Sequence, residues 1–270
     1  MAARTCRHRW LHLVSSLFVL FASAASRSVA SSASLCDAPG WEIGWRDEFD
    51  TFDASTWVKD VRGPGDSRTR DAAARAENVW VADGALVIEA DAAWTGSAWT
   101  NLTAGAVRST VGFRGPARVC VRAQLPGGGN GVWPAHWLMP LDDSCWPCHG
   151  ELDIMEMIDA DGVLHGTYHW CANATCGDGP AHLSDTFQTT VALDGWHEFA
   201  VEFGPGAARF AVDGAFYGSV APDALLWNTS YYAILNTAIG GPWPRPPDAA
   251  TTFPNYHRVD AIRVAYPKAV

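Results

Sequence analysis

From about residue 40 onward, apolar and polar positions alternate in short runs, the period of a half-buried strand. Val79-Trp80-Val81, then Asp83-Gly84, then residues 85–90 read as a hairpin, because Asp-Gly tolerates the left-handed backbone of a tight connection. Residues 209–212, Asp213-Gly214 and residues 215–217 repeat that signal. Residues 196–203 alternate, with His197, Phe199, Val201 and Phe203 on one face. Beyond the leader there is no sustained helical period, no internal repeat and no long charge run. Many short strands separated by turns predict an all-β chain, with a two-sheet sandwich or jelly roll as its architecture.

One run carries unusual chemistry for a strand: Glu151-Leu152-Asp153-Ile154-Met155-Glu156. Side chains alternate with a period of two, so Glu151 and Asp153 share one face and Leu152 and Ile154 the other. In a regular strand Glu156 falls with Leu152 and Ile154. One extra residue, a β-bulge absorbing Met155, returns it to the side of Glu151 and Asp153. Three carboxyls on one face repel one another, so the row belongs in a wet cleft or around a cation. Retaining glycoside hydrolysis needs such a pair, one ionised as nucleophile and one protonated as acid, roughly 5 to 5.5 Å apart. A third carboxylate between them would help push their pKa values apart. The competing readings are a solvated outer strand face, a calcium site and chance.

The chain opens with Arg4, Arg7 and Arg9, an apolar run over residues 10–22 and the tripeptide Ala22-Ser23-Ala24. Basic, apolar and small-residue segments in that order make residues 1–24 a secretory signal peptide, followed by a short linker at 25–40 and one large domain at 41–270. The apolar run is short for a membrane span and Ser15 and Ser16 interrupt it; a signal anchor is the alternative. No second hydrophobic segment and no lipid-anchor tail is found, so the expected product is soluble and extracellular. Losing three arginines and no acid takes the formal net charge from −10 to −13. Such a surface repels nucleic acid, anionic lipid and sulfated or uronic polymers, and suits a neutral partner.

Without Cys6, six cysteines remain: Cys36, Cys120, Cys145, Cys148, Cys171 and Cys176. An even number in an oxidising compartment predicts disulfides, with fifteen possible connectivities. Cys145-x-x-Cys148 with Cys171-x4-Cys176 also has the spacing of a four-sulfur zinc site, with His149 and His169 nearby. Sequons at Asn101, Asn173 and Asn228 suit glycosylated surface loops.

Upstream of the carboxylate row lies Gly127-Gly128-Gly129-Asn130-Gly131, a loop without the strand-to-helix context of a phosphate cradle. It leads into Val132-Trp133-Pro134-Ala135-His136-Trp137-Leu138, where Trp133 and Trp137 share a face. With Trp146, Trp170 and Trp243 they offer flat apolar platforms for the C–H faces of sugars, against the alternative of ordinary core packing.

Taken in order, these segments resemble glycoside hydrolase family 16, most closely its laminarinase-like endo-β-1,3-glucanases. The similar stretches are Trp45-Arg46-Asp47-Glu48-Phe49, Asn78-Val79-Trp80-Val81 with Gly84-Ala85-Leu86-Val87-Ile88, and Trp133-Pro134-Ala135-His136-Trp137-Leu138. Glu151 to Glu156 looks like the family's E-x-D-x-x-E signature in its bulged form. Gly166-Thr167-Tyr168-His169, the glycine-rich run 236–244 and Val259-Asp260-Ala261-Ile262-Arg263-Val264 complete the match. Where the family has R-x-E-x-R, this chain has Arg118-Val119-Cys120-Val121-Arg122, and a cysteine-rich insertion, residues 142–148, precedes the carboxylate row.

The resemblance implies a concanavalin-like β-jelly-roll of two curved antiparallel sheets with a concave substrate cleft. It implies Glu151 as nucleophile, Glu156 as general acid and then base, and Asp153 as the assisting carboxylate. Trp133, Trp137, His169, Asn236 and Trp243 would contact sugar. Catalysis would need no cofactor; a structural calcium ion would sit at Glu48, Gly84 and Asp260. The expected partner is a neutral β-glucan, with linkages β-1,3 or mixed β-1,3/1,4, and the expected state is a monomer. The alternatives are a non-catalytic glucan-binding protein on the same fold, in which such carboxylates are typically lost, and a glucan transglycosylase.

Overall fold

The computed structural model describes residues 34–142, 144–173, 175–179, 181–221 and 229–269. The expected signal peptide and the sequon at Asn228 lie outside the described residues. The described residues form two sheets. The first runs, in spatial order, His182–Thr190, Val163–Cys171, Glu151–Met157, Val132–Pro140, Ser230–Ile239, Ala106–Ser109 and Trp57–Lys59, with Phe113–Arg114 beside Ser230–Ile239. The second runs Ala215–Val220, Ala207–Val212, His197–Gly204, Ala117–Gln124, Asn255–Pro267, Ala85–Trp94, Trp99–Ala104 and Ala73–Ala74. Trp41–Asp47 and Val79–Ala82 join it beside Asn255–Pro267 and Ala85–Trp94. Among these strands pairing is antiparallel except between Ala73–Ala74 and Trp99–Ala104, and an isolated parallel bridge joins Arg70 to Ile239.

Both Asp-Gly turns take the expected form. Asp83 and Gly84 have φ of 53° and 70°, and Asp213 and Gly214 have 49° and 80°, the paired left-handed backbone that lets a two-residue connection follow the strand twist. Phe199, Val201 and Phe203 pack inward from the second sheet against Leu138, Leu152, Ile154 and Leu235 from the first. This core fixes which face of Glu151–Met157 is wet.

That strand carries the predicted bulge, with one correction. Against Val132–Pro140, Met155 pairs with His136 and Asp153 with Trp137, so the residue without a partner there is Ile154. On the other side Asp153 pairs with Thr167 and Glu156 with His165, leaving two residues opposite Gly166. Ile154 and Met155 are both buried in the core together with Leu152 and Met157. Two consecutive apolar side chains demand the same face, and the ladder can satisfy both only by giving up one pairing. The parity of Glu156 follows.

In Val132–Pro140, Trp133, Ala135, Trp137 and Met139 face the cleft, while Leu138 enters the core. His136 also points inward, its Nε2 lying 2.8 Å from Nε2 of His257 on Asn255–Pro267. The two imidazoles thus bridge the sheets in full burial. Desolvation holds both neutral: it takes His136 well below the usual histidine range and His257 to about 4.

Disulfides join Cys36 to Cys120, Cys145 to Cys176 and Cys148 to Cys171. The zinc alternative is thereby overturned, because all four of its sulfurs are bonded to one another. Cys36 sits in the short helix Leu35–Asp37 and is fully buried, so the end of the stretch read as a linker is stapled to the second sheet.

Candidate active site

The wet face of the first sheet holds a cavity of about 500 Å³. Glu151, Asp153 and Glu156 form its floor, and Trp133, Trp137, Trp146, Asn236, Arg68 and Arg70 stand around them. A contiguous lobe that shares the carboxylates adds Thr167, His169, His182 and Trp243. The structure therefore brings all eight expected catalytic and substrate-binding residues to one cleft. Trp170 does not belong there: it stacks on Tyr168 with ring centroids 5.3 Å apart and packs against the core, as its even spacing from Tyr168 requires.

Each carboxylate has its own partner. The Trp146 indole N–H donates to Glu151 Oε2. Trp133 Nε1 donates to Glu156 Oε1 at 3.0 Å. His169 Nε2 stands 3.0 Å from Asp153 Oδ2. Behind His169 the chain of contacts continues, from its Nδ1 to His182 Nε2 at 2.8 Å and from His182 Nδ1 to Asp178 Oδ1 at 2.9 Å. Trp137 Nε1 donates to Asn236 Oδ1 at 2.7 Å, and Asn236 Nδ2 donates to the Arg68 carbonyl at 2.7 Å, which fixes the orientation of both side chains.

Burial raises all three carboxyls, and the charges of neighbouring carboxylates raise Glu151 and Glu156 further. Desolvation, then the charge of Asp153, takes Glu151 to about 8, with His169 and the Trp146 N–H pulling the other way. Burial lifts Asp153 to about 7. Glu156 is lifted well above the carboxylate range, by burial first and then by the charges of Asp153 and Glu151. Two carboxyls with different donors thus flank a third, and the charges of Asp153 and Glu151 both favour the protonated form of Glu156.

Trp146 was legible only as one tryptophan among several. Its special position comes from the flanking disulfides: Cys145 and Cys148 tie its turn to Cys176 and Cys171, and its ring lies 4.8 Å from that of His182. Arg70, whose guanidinium lies 4.9 Å from the Trp133 ring centroid, and His182 and Asp178 had no local signal at all. Trp243 is braced edge-on by Trp133 at 5.3 Å and by His165 at 4.8 Å. The run that carries it needs glycine. Gly240 has φ of +72°, and a Cβ there would come within 2.0 Å of Asp71 Oδ2, which accepts from Gly241 N at 3.0 Å.

Residues 107–196 match the family described as "XgeA-like, catalytic GH16 domain". A beta-glucanase of Rhodothermus marinus is 33% identical over 260 residues, 84% of this chain and 86% of that protein. This chain belongs to glycoside hydrolase family 16. An endo-beta-1,3-glucanase of Pyrococcus furiosus superposes with a TM-score of 0.73 at 27% identity, covering 85% of this chain and 96% of the other. A keratan-sulfate endo-1,4-beta-galactosidase of Sphingobacterium multivorum is 30% identical over 83% of this chain, which spans 55% of its length.

Of Glu48, Gly84 and Asp260, the residues expected to hold calcium, the two carboxylates have arginine partners. Glu48 accepts from Arg263 Nε at 3.0 Å and from Nη2 at 2.9 Å, and Asp260 accepts from Arg122 Nη1 at 2.7 Å. Both carboxylates are already neutralised by guanidinium groups. Among the described residues, the side chains close enough to share a metal ion are Glu151, Asp153 and His169, inside the catalytic cleft.

Proposed function

We propose that this protein is a secreted, endo-acting, retaining glucanase that hydrolyses internal β-1,3 linkages of a neutral β-glucan. The observation that carries this reading is the carboxylate row: three acids on one face of a cleft, two of them held by separate tryptophan donors. Glu156, protonated, gives its proton to the glycosidic oxygen as the bond to the anomeric carbon breaks. Glu151 supplies its electron pair to that carbon and forms the glycosyl-enzyme. Water, deprotonated by the now anionic Glu156, then releases the sugar and restores both groups. The Trp146 N–H and the charge of His169 favour the ionised Glu151 that attack requires, and Asp153 keeps Glu156 protonated.

Secretion is supported by the leader-like first 24 residues and by the three disulfides, which persist in oxidising compartments. The β-1,3 preference is supported by the beta-glucanase and endo-beta-1,3-glucanase relatives. The net negative charge disfavours a sulfated polymer such as the substrate of the galactosidase relative.

Product analysis on soluble β-1,3-glucan, mixed-linkage glucan and keratan sulfate, with Glu151→Gln as control, tests the proposal. Short oligosaccharides from β-1,3-glucan that vanish with the variant support it. Binding without cleavage would instead indicate a glucan-binding protein, and products longer than the substrate a transglycosylase.

A further inference from the structure

Beside the catalytic cleft runs a second groove, about 330 Å³ in volume, lined by Asp71, Trp94, Ser97, Trp99, Pro246 and Asp248 among others. The hairpin between Ala85–Trp94 and Trp99–Ala104 sets Trp94 directly opposite Trp99, with ring centroids 5.0 Å apart. Trp99 is anchored three ways. Trp94 packs on it, Phe253 meets it edge-on at 4.9 Å, and its Nε1 donates to the Asp248 carbonyl at 2.6 Å. Trp94 has no such cover and stays 44% exposed. An indole held in place on one side and open on the other loses little freedom when a ligand stacks on it, which makes it a strong contributor to binding.

The groove shares a wall with the cleft. Arg70 lines the cleft and Asp71 the groove; Trp243 lines the cleft and Pro246 the groove. The wall is rigid, since Asp71 is seated on Gly240-Gly241. The lining carries two carboxylates and, among the described residues, no cation, so it repels an anionic polymer. An aromatic floor with a hydroxyl and carboxylates at the rim suits the apolar ring faces and peripheral hydroxyls of a neutral sugar.

We propose that this groove is an outer subsite, on which the part of a neutral β-glucan chain that extends past the catalytic cleft stacks against Trp94. The inference rests on the glucanase reading and names a feature of the same substrate: the site favours long chains over short ones.

Kinetics on a long soluble β-1,3-glucan and on a β-1,3-glucan tetrasaccharide test it, comparing the parent protein with Trp94→Ala and Trp94→Tyr. Trp94→Ala should raise KM on the polymer about tenfold, the loss of one aromatic anchor, with kcat on the polymer and kinetics on the tetrasaccharide unchanged. Trp94→Tyr should recover most of the polymer KM. An unchanged polymer KM in Trp94→Ala, or an equal loss on both substrates, would overturn the subsite while leaving the glucanase reading intact. Retention of Glu151→Gln in gels containing the polymer separates the two hypotheses. If the parent cleaves no β-glucan, the catalytic reading fails, and retention that depends on Trp94 still decides the groove.

Discussion

His169 holds its Nε2 3.0 Å from Asp153 Oδ2, and so places an ionisable base against the middle of three carboxyls. Its charge lowers the pKa of both Glu151 and Glu156 against their burial. His169→Ala should therefore move both limbs of the kcat/KM pH profile upward and lower the rate at the acid end. Trp146→Phe, which removes the N–H to Glu151, should move the acid limb in the same direction. A lowered plateau with unmoved limbs would assign these residues a merely structural part.

Glu156→Ala should lose about a hundredfold to ten-thousandfold on β-glucan, the usual worth of a positioned acid. On an aryl glycoside whose leaving group needs no proton, the glycosylation step should be nearly spared. Equal losses on both substrates, measured in one pH series, would remove Glu156 from the acid role.

Burying Glu151 costs stability that function demands. Its carboxyl is raised from 4.5 to about 8 in the folded state, so its contribution is fully present below pH 4.5 and is lost as pH rises through 8. Glu151→Gln cannot ionise and escapes that loss. The variant should gain on the parent progressively between pH 4.5 and pH 8, by of order 5 kcal/mol at the alkaline end, read by denaturant unfolding. A constant difference across that window would show that Glu151 is not desolvated in the folded protein.

The inter-sheet histidine pair works in the opposite direction. His257 falls from 6.5 to about 4 on folding, so its contribution is complete above pH 6.5 and is lost as pH drops toward 4. His257→Gln keeps a donor near His136 without a titrating group. Its unfolding free energy should therefore fall less steeply with acid than that of the parent, by of order 3 kcal/mol across the window. Parallel curves for the two proteins would refute this.

Local residues made much of the site legible. The alternation of Glu151, Leu152 and Asp153 and the odd position of Glu156 pointed to a bulge, because one extra residue returns Glu156 to the face of the other two acids. Its register was not legible: that Ile154 rather than Met155 lacks a partner depends on how Val132–Pro140 pairs alongside. The cysteines announced disulfides, but the nested pairing of Cys145 with Cys176 and Cys148 with Cys171 needed the distance between two loops. Asp178 and His182 lie far along the chain from Asp153 and reach it only through His169.

The sequence by itself determined the all-β class, the Asp-Gly hairpins, the face carrying the three acids and the aromatic character of the cleft. All of these follow from side-chain periodicity and turn chemistry, which act over a few residues. Only the tertiary structure decided which donor holds which carboxylate, that His136 meets His257 between the sheets, that arginines neutralise Glu48 and Asp260, and that Trp94 and Trp99 flank a groove beside the cleft. These are contacts between residues distant along the chain, and they exist only once two sheets have packed and fixed which side chains share a space.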